Sequence, residues 1–253
     1  MEFEGRHALV TGGGTGIGLA IAGALADRGA EVTITGRDLG RLEGIAAARP
    51  RLHPLRMDVA DEASVHEGIG AAARARGPVT ICIANAGIAE AAPFHRETLD
   101  HWRRIMATNL DGAFLTFQAS LATLPRDIPA RMIAISSIAG LRGLSNAIAY
   151  TASKHAVIGL IRGLSEEYMG GPVTFNAICP GYVDTPIVDR NAAEIAEVKS
   201  ITDEEARAYL ARGNRHKRLL ETEEVTATAL WLCSDAARSV NGQAIQIAGG
   251  QVA

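Results

Sequence analysis

Aromatic residues make up only 4% of the 253-residue chain, and its three cysteines, Cys82, Cys179 and Cys233, stand apart in apolar segments. An odd number of thiols without CxxC spacing supports neither a disulfide framework nor a zinc site. The seven histidines are scattered, with no HExxH or paired-ligand spacing, so no metal is expected. Charge is nearly balanced at −3, which leaves no extended electropositive surface for nucleic acid. No apolar run approaches membrane-spanning length. The first residues, MEFEGRHALV, are acidic where a signal peptide would be basic and then apolar. These absences lead to an expectation of a cytoplasmic protein that engages neither nucleic acid nor a membrane.

What the chain has instead is alanine and glycine, suited to a core formed by close approach of helices and sheet rather than by large rings. Short β-branched runs recur along it: HALVT, EVTIT, LHPLRM, VTICIA, RMIAIS, PVTFNAI and AIQIA. Each of the first six is followed by a helical pattern, a turn-rich crossover or both, which is the mark of βαβ units. The expected fold is α/β, a Rossmann-type, doubly wound, mainly parallel seven-stranded sheet with helices on both faces, in a single domain over 1–253. Two three-strand halves would then place a ligand across the strand carboxyl ends, at the switch point.

The segment TGGGTGIG, Thr11 to Gly18, joins the first strand to a helix. Glycines there let the backbone approach a ligand closely, and a helix N-terminus offers free N–H groups to a pyrophosphate. It does not fit GxGxxG: counting from Gly12 the third slot is Ile17, and from Gly14 it is Leu19. It fits TGxxxGxG. Further on, Tyr150 and Lys154 lie with Val157 and Ile161 within about a 60° arc of one helix. Read alone, that pair could be a packed ring beside a snorkelling lysine.

Taken in order, these landmarks resemble the classical short-chain dehydrogenase/reductase family. They are TGxxxGxG, Asn85-Ala86-Gly87 after the fourth strand, Asn109 in ATNLDGAF, Ser136-Ser137 at the end of the fifth strand, YxxxK at Tyr150 and Lys154, and Pro180-Gly181 opening PGYVDTP. The chain departs from the family at Ala84, where a second Asn is frequent, and at Ala248, where an acid is frequent. The resemblance implies that Gly12, Gly14, Thr15, Gly16 and Ile17 cradle the cofactor, together with Asn85, Ala86, Gly87, Pro180 and Gly181. It further implies that Asp58 and Val59 contact the adenine, Val183 and Thr185 the carboxamide, and Lys154 the nicotinamide ribose. Asp58 could equally cap the next helix.

The implied activity interconverts a ketone and a secondary alcohol, with a 3-oxoacyl or 3-hydroxyacyl compound as a candidate substrate. Tyr150 would be the acid/base. Its reference pKa of about 10 needs help, and an ammonium at about 4 Å would supply roughly 4 kcal/mol at an effective dielectric of about 20. Ser137, thirteen residues earlier, would stabilise the carbonyl oxygen, and Asn109 would hold a water that links Lys154 to solvent. The alternative is a catalytically silent nucleotide-binding regulator on the same fold.

Cofactor choice rests on TITGRD. Gly36 at the strand tip leaves room for a 2′-phosphate and Arg37 can bind it, which favours NADP over NAD. Asp38 is the rival, either reading the ribose or capping the next helix. Thr15 stands where the family's second basic determinant would be. Residues 187–214 form a polar segment where the family carries its substrate-covering lid. The cluster Arg212, Arg215, Lys217 and Arg218 is either solvated and internally paired or a landing point for an anionic substrate. A small-residue stripe of Ala152, Ala156, Gly159 and Gly163 points to helix contact in a homotetramer.

Overall fold

Parallel strands buried on both faces need largely apolar runs, and the five inner strands supply them, while the two edge strands are only partly buried. The computed structural model describes residues 1–251; the last two residues of the expected domain, 252 and 253, lie outside the described residues. The strands are β1 (His7–Thr11), β2 (Glu31–Gly36), β3 (Leu52–Arg56), β4 (Val79–Ala84), β5 (Ala130–Ile135), β6 (Val173–Pro180) and β7 (Ala244–Ile247). They form one sheet in the order 3-2-1-4-5-6-7, with every pairing parallel. Pro54 is tolerated because β3 is an edge strand.

Nine helices are described: α1 (Gly16–Ala26), α2 (Leu39–Ala46), α3 (Glu62–Arg76), α4 (Leu99–Met106), α5 (Gly112–Leu121), α6 (Ile148–Glu167), α7 (Pro186–Lys199), α8 (Asp203–Ala211) and α9 (Thr222–Cys233). Alternate strand residues feed two cores. Val10, Ile34, Ile83 and Ile178 pack with Ile21 and Leu25 of α1 and Val225 and Leu232 of α9. Leu9, Cys82, Met132 and Phe175 pack with Ile69 of α3, Phe117 of α5 and Val157 and Ile161 of α6. Three of the aromatics meet here: Phe175 contacts Phe117 edge-on at 6.3 Å and Tyr168 at 5.3 Å between ring centres. Among the described residues, no helix is long and apolar enough to cross a membrane.

The reversal of strand order falls between β1 and β4, whose carboxyl ends carry the glycine turn and Asn85. Residues 187–214, read as a polar segment, contain most of α7 and all of α8. These two helices enclose a small core of their own, from Val188, Ala192, Ala196, Ala206 and Leu210.

Candidate active site

The glycine turn is held from behind. Asn85 Nδ2 donates to the carbonyls of Thr11 (2.9 Å) and Gly12 (3.2 Å), while Thr11 Oγ1 accepts the N–H groups of Asn85 and Ala86, each at 3.0 Å. The Asn85 side chain therefore braces the cradle from beneath. A Cβ at Gly18 would fall 2.4 Å from both Asn85 Nδ2 and the Gly12 carbonyl, which accounts for the last glycine of TGxxxGxG. Gly16 sits at φ +50°, and a Cβ there would stand 3.1 Å from Thr185 Cγ2. A nucleotide diphosphate fits this place: the backbone is bare, and Thr15 leaves the first turn of α1 without a side-chain cap or an acid.

Lys154 is 5% exposed, on the core side of α6, and its Nζ donates to the Ile135 carbonyl at the end of β5, 2.9 Å away. Burial pulls its pKa down from 10.5 to about 8. Tyr150, one turn earlier, has its ring centre 5.7 Å from that ammonium. Burial raises its phenol above the usual 10, while a hydrogen bond with Ser137 pulls the other way. This departs from the direction expected from charge alone: the pair shares a face, but burial outweighs the Ser137 hydrogen bond and sets the direction. Ser137 Oγ also accepts from Ala139 N at 3.1 Å, opening a 3-10 turn over Ile138–Gly140. Ser136 faces inward and donates to the Lys154 carbonyl at 3.1 Å, a structural position.

Asn109 lies on a single π-helical turn, Ala107–Asp111, inserted between α4 and α5. Its Oδ1 accepts from Ile88 N (2.8 Å), and its Nδ2 donates to Ile88 O (3.0 Å) and Ser153 Oγ (3.1 Å). Gly87 lies between the two groups: a Cβ there would be 3.3 Å from Asn109 Oδ1 and 3.5 Å from Lys154 Nζ. The π turn brings Asn109 to the lysine, and the sequence carries no mark of it.

The remaining candidates surround this centre. Thr185 precedes α7 and donates to the Val183 carbonyl at 3.2 Å; Val183 bridges to Leu220; Gly181, after Pro180, donates from its N–H to Ile247 O at 2.9 Å. Val59 is buried at 7% exposure. Asp58 is not a helix cap: Asp61 caps α3 through Ser64 N, and Asp58 accepts from Ala60 N at 3.0 Å in the preceding turn. Arg37 is exposed, whereas Asp38 caps α2 by accepting from Arg41 N at 3.0 Å. In the basic cluster, Arg218 makes two bonds to Glu224 (2.6 and 2.9 Å).

Sequence reasoning missed Tyr182 and Asn214. Asn214 is fully buried, accepts from Tyr182 N and donates to Tyr182 O, both at 2.9 Å, and thereby fixes the segment ahead of Thr185. A cavity of about 440 Å³ opens between the segment after β4 and α7, with Glu90, Arg96, His101, Arg190 and Glu194 on its walls.

A bare phosphate turn at the switch point, with a phenol, a hydroxyl and a buried amine gathered beside it, belongs to nucleotide-dependent dehydrogenases and reductases of the doubly wound class. The family model described as enoyl-(acyl carrier protein) reductase matches residues 12–251, and the chain belongs to the short-chain dehydrogenase/reductase family. It is 35% identical over 255 residues to cis-4-hydroxycyclohexanecarboxylate dehydrogenase of Sinomonas cyclohexanicum, covering 99% of this chain and 98% of that one. It is 34% identical over 249 residues to the granaticin polyketide synthase putative ketoacyl reductase 1 of Streptomyces violaceoruber, covering 96% and 92%. Its fold superposes on a variant of actinorhodin polyketide ketoreductase crystallised with NADPH at a TM-score of 0.93, with 28% identity over 97% of both chains.

If burial governs Tyr150, its phenol titrates late. Subtracting the alkaline absorbance titration of Tyr150→Phe from that of the wild type should reveal one phenolate transition above pH 10. A transition below that value would show that the lysine prevails over desolvation.

Proposed function

We propose that this enzyme interconverts a ketone and a secondary alcohol with NADP(H), using Tyr150 as acid/base, and that it works as a cytoplasmic homotetramer. The convergence of Ser137, Tyr150 and Lys154 beside the uncapped N-terminus of α1 carries this reading. The bound nicotinamide supplies hydride to the carbonyl carbon or takes it from the alcohol carbon.

In reduction the Tyr150 hydroxyl delivers its proton to the carbonyl oxygen, and the raised phenol keeps that proton available through neutral pH. Ser137 donates to the same oxygen as charge develops, a contribution on the order of 10²–10³ in rate for such donors. The phenolate left behind faces the Lys154 ammonium. At 5.7 Å from the ring centre, an effective dielectric of about 20 makes that attraction about 3 kcal/mol, so the lysine acts on the charge that forms. Asn109 bonds Ile88 on both sides and so holds the segment after Gly87 alongside the lysine. In oxidation every step reverses, and the rate climbs with pH as phenolate accumulates.

The substrate is drawn from carbonyl compounds of the kinds named for the relatives, acyl ketones at one extreme and carboxylate-bearing cyclic alcohols at the other. A 3-oxoacyl compound is within that range. The helices α7 and α8 act as the lid, tied to the loop before Thr185 by Arg207, which pairs with Asp184 (2.6 Å) and with Asp189. A reducing compartment suits the three thiols, which burial pushes up to about 12 at Cys82, 11 at Cys179 and 12 at Cys233.

Steady-state turnover with a panel of ketones and alcohols tests the chemistry. Tyr150→Phe should retain cofactor binding and lose roughly 10²–10⁴-fold in kcat; Lys154→Ala should lose both binding and turnover. Near-normal kcat in Tyr150→Phe would refute the assignment, and an inactive wild type that still binds cofactor would favour the silent regulator.

For the cofactor, Asp38 is engaged as a cap and Arg37 is exposed beside Gly36, which supports a 2′-phosphate there. Calorimetry should find NADPH bound roughly ten- to a hundredfold tighter than NADH, from one charge-assisted contact. The double change Gly36→Asp with Arg37→Leu should invert the order. Tighter NADH binding by the wild type would leave Arg37 without a role.

For assembly, the stripe on α6 is open: nothing lies within 4 Å of where a Cβ would stand at Gly159 or Gly163. Two helix-interior glycines cost about 1 kcal/mol each unless close packing offsets them. Light scattering at micromolar concentration should return four times the chain mass; a monomer would reject the tetramer.

A further inference from the structure

The chain returns from α8 to the body of the fold through the loop that carries the basic cluster, and that loop is held at fixed points. Asn214, fully buried, accepts from Tyr182 N and donates to Tyr182 O (both 2.9 Å) and to Arg218 O (2.7 Å). Lys217 N donates to Asn214 O at 2.9 Å, which closes a β-turn with Arg215 and His216 at its tip. Beneath the turn, Gly249 makes room for the His216 ring, since a Cβ there would stand 2.8 Å from His216 Cδ2. Leu220 N then donates to Tyr182 O (2.9 Å), and Leu220 O accepts from Asp184 N (2.8 Å). The basic turn therefore sits over the carboxyl ends of β6 and β7, against the segment that leads to Thr185.

Internal pairing accounts for one of its cations only. The acids that follow are turned toward α9: Glu221 and Glu224 close a capping box, Glu224 also grips Arg218 (2.6 and 2.9 Å), and Glu223 accepts from Thr222 (3.1 Å). Arg212, at the end of α8, and Arg215 and Lys217 on the turn are exposed and pair with no acid among the described residues. Lys217 itself stands at φ +57°, in the left-handed region that glycine or asparagine usually fills. The backbone would be easier to close with glycine, and a long cationic side chain kept at such a position points to a use for its charge.

We infer that this turn receives the phosphates of coenzyme A, and that the physiological substrate is an acyl thioester of coenzyme A carrying the ketone or the alcohol. The inference rests on the carbonyl-alcohol reading above and names the carrier. Guanidinium forks and an ammonium on one braced turn are suited to phosphate oxygens. Coenzyme A joins its phosphates to the acyl group by a long uncharged arm, which lets the charged end stay at the rim while the carbonyl reaches Tyr150. The phosphates of the nicotinamide cofactor belong elsewhere, at the glycine turn after β1 and at Arg37 after β2, on the other side of the switch point from β6 and β7. A carrier protein would need a wider basic face, whereas here Glu221, Glu223 and Glu224 follow the turn directly.

The test titrates the enzyme, saturated with oxidised cofactor, with coenzyme A and with pantetheine by calorimetry, and follows turnover of acetoacetyl and 3-oxohexanoyl thioesters of each. Coenzyme A should bind roughly ten- to a hundredfold tighter than pantetheine, the size of one charge-assisted contact, and the advantage should shrink as salt is raised. The double change Arg215→Gln with Lys217→Gln should remove most of that advantage, and Arg212→Gln part of it. In turnover the same loss should fall on KM for the coenzyme A thioesters, with kcat and the pantetheine thioesters near wild type. An unchanged fluorescence titration with NADPH in the double variant verifies that the fold and the cofactor site are intact. Equal binding of coenzyme A and pantetheine, equal losses for both in the double variant, or a higher kcat/KM for the same acyl group on a carrier protein would overturn the subsite while leaving the oxidoreductase standing. So would an enzyme that turns over simple ketones but no thioester. No turnover of any thioester, ketone or alcohol would overturn both readings.

Discussion

The burial of one ammonium organises the centre of this molecule. Lys154 is 5% exposed, and an amine that deep is tolerated only with a fixed acceptor, here the carbonyl of Ile135. That requirement ties α6 to the carboxyl end of β5 at the strand that also delivers Ser137. Ser136 adds a second tie by donating to the lysine's own carbonyl. Gly87 brings the chain after β4 alongside the amine, and the π turn carries Asn109 to the far side. Four segments from distant parts of the chain therefore meet around a group that would be costly to desolvate alone.

Two asparagines perform for the loops what Lys154 performs for the centre. Asn85 bonds two carbonyls of the glycine turn, and Asn214 brackets the backbone of Tyr182. A side-chain amide suits both places because it offers donors and an acceptor on one planar head and can stand in for a missing strand. Loops at the end of a parallel sheet have lost their ladder partners, and a buried, unpaired backbone group costs about 1–3 kcal/mol. With those groups satisfied, the glycine turn and the segment that leads to Thr185 are held by the protein's own hydrogen bonds.

Much of this was legible in the residues. The five inner strands could be placed because a strand buried on both faces reads as a short apolar run rich in β-branched residues, and the edge strands β3 and β7 by their spacing in the same alternation of strand with helix or turn-rich crossover. The order of the landmarks then located the glycine turn, Ser137, Tyr150 and Lys154. Depth was not legible: periodicity puts Tyr150 and Lys154 on one face but does not tell how far they are from water, so the direction of the phenol's shift was missed. A π turn has no composition of its own, and Asn214 meets Tyr182 across 32 positions, beyond any local pattern. Asp58 and Asp61 are both plausible caps by residue type, and only the helix start distinguishes them. The segment 187–214 read as polar because its two helices bury only a narrow seam of small side chains and one leucine.

The division between centre and rim bears on what the enzyme can select. Lys154 at the proposed centre is held by a backbone carbonyl, so its position is insensitive to which side chains stand further out. The rim is built differently, from arginines and acids on α4, α7, α8 and the loops after β4 and β6, and some of those charges neutralise one another in pairs. Paired surface charges contribute little binding energy, since each partner is already satisfied. Discrimination among substrates then falls to the few rim residues whose hydrogen-bonding groups the protein itself does not use, and chemistry at the centre need not change with them.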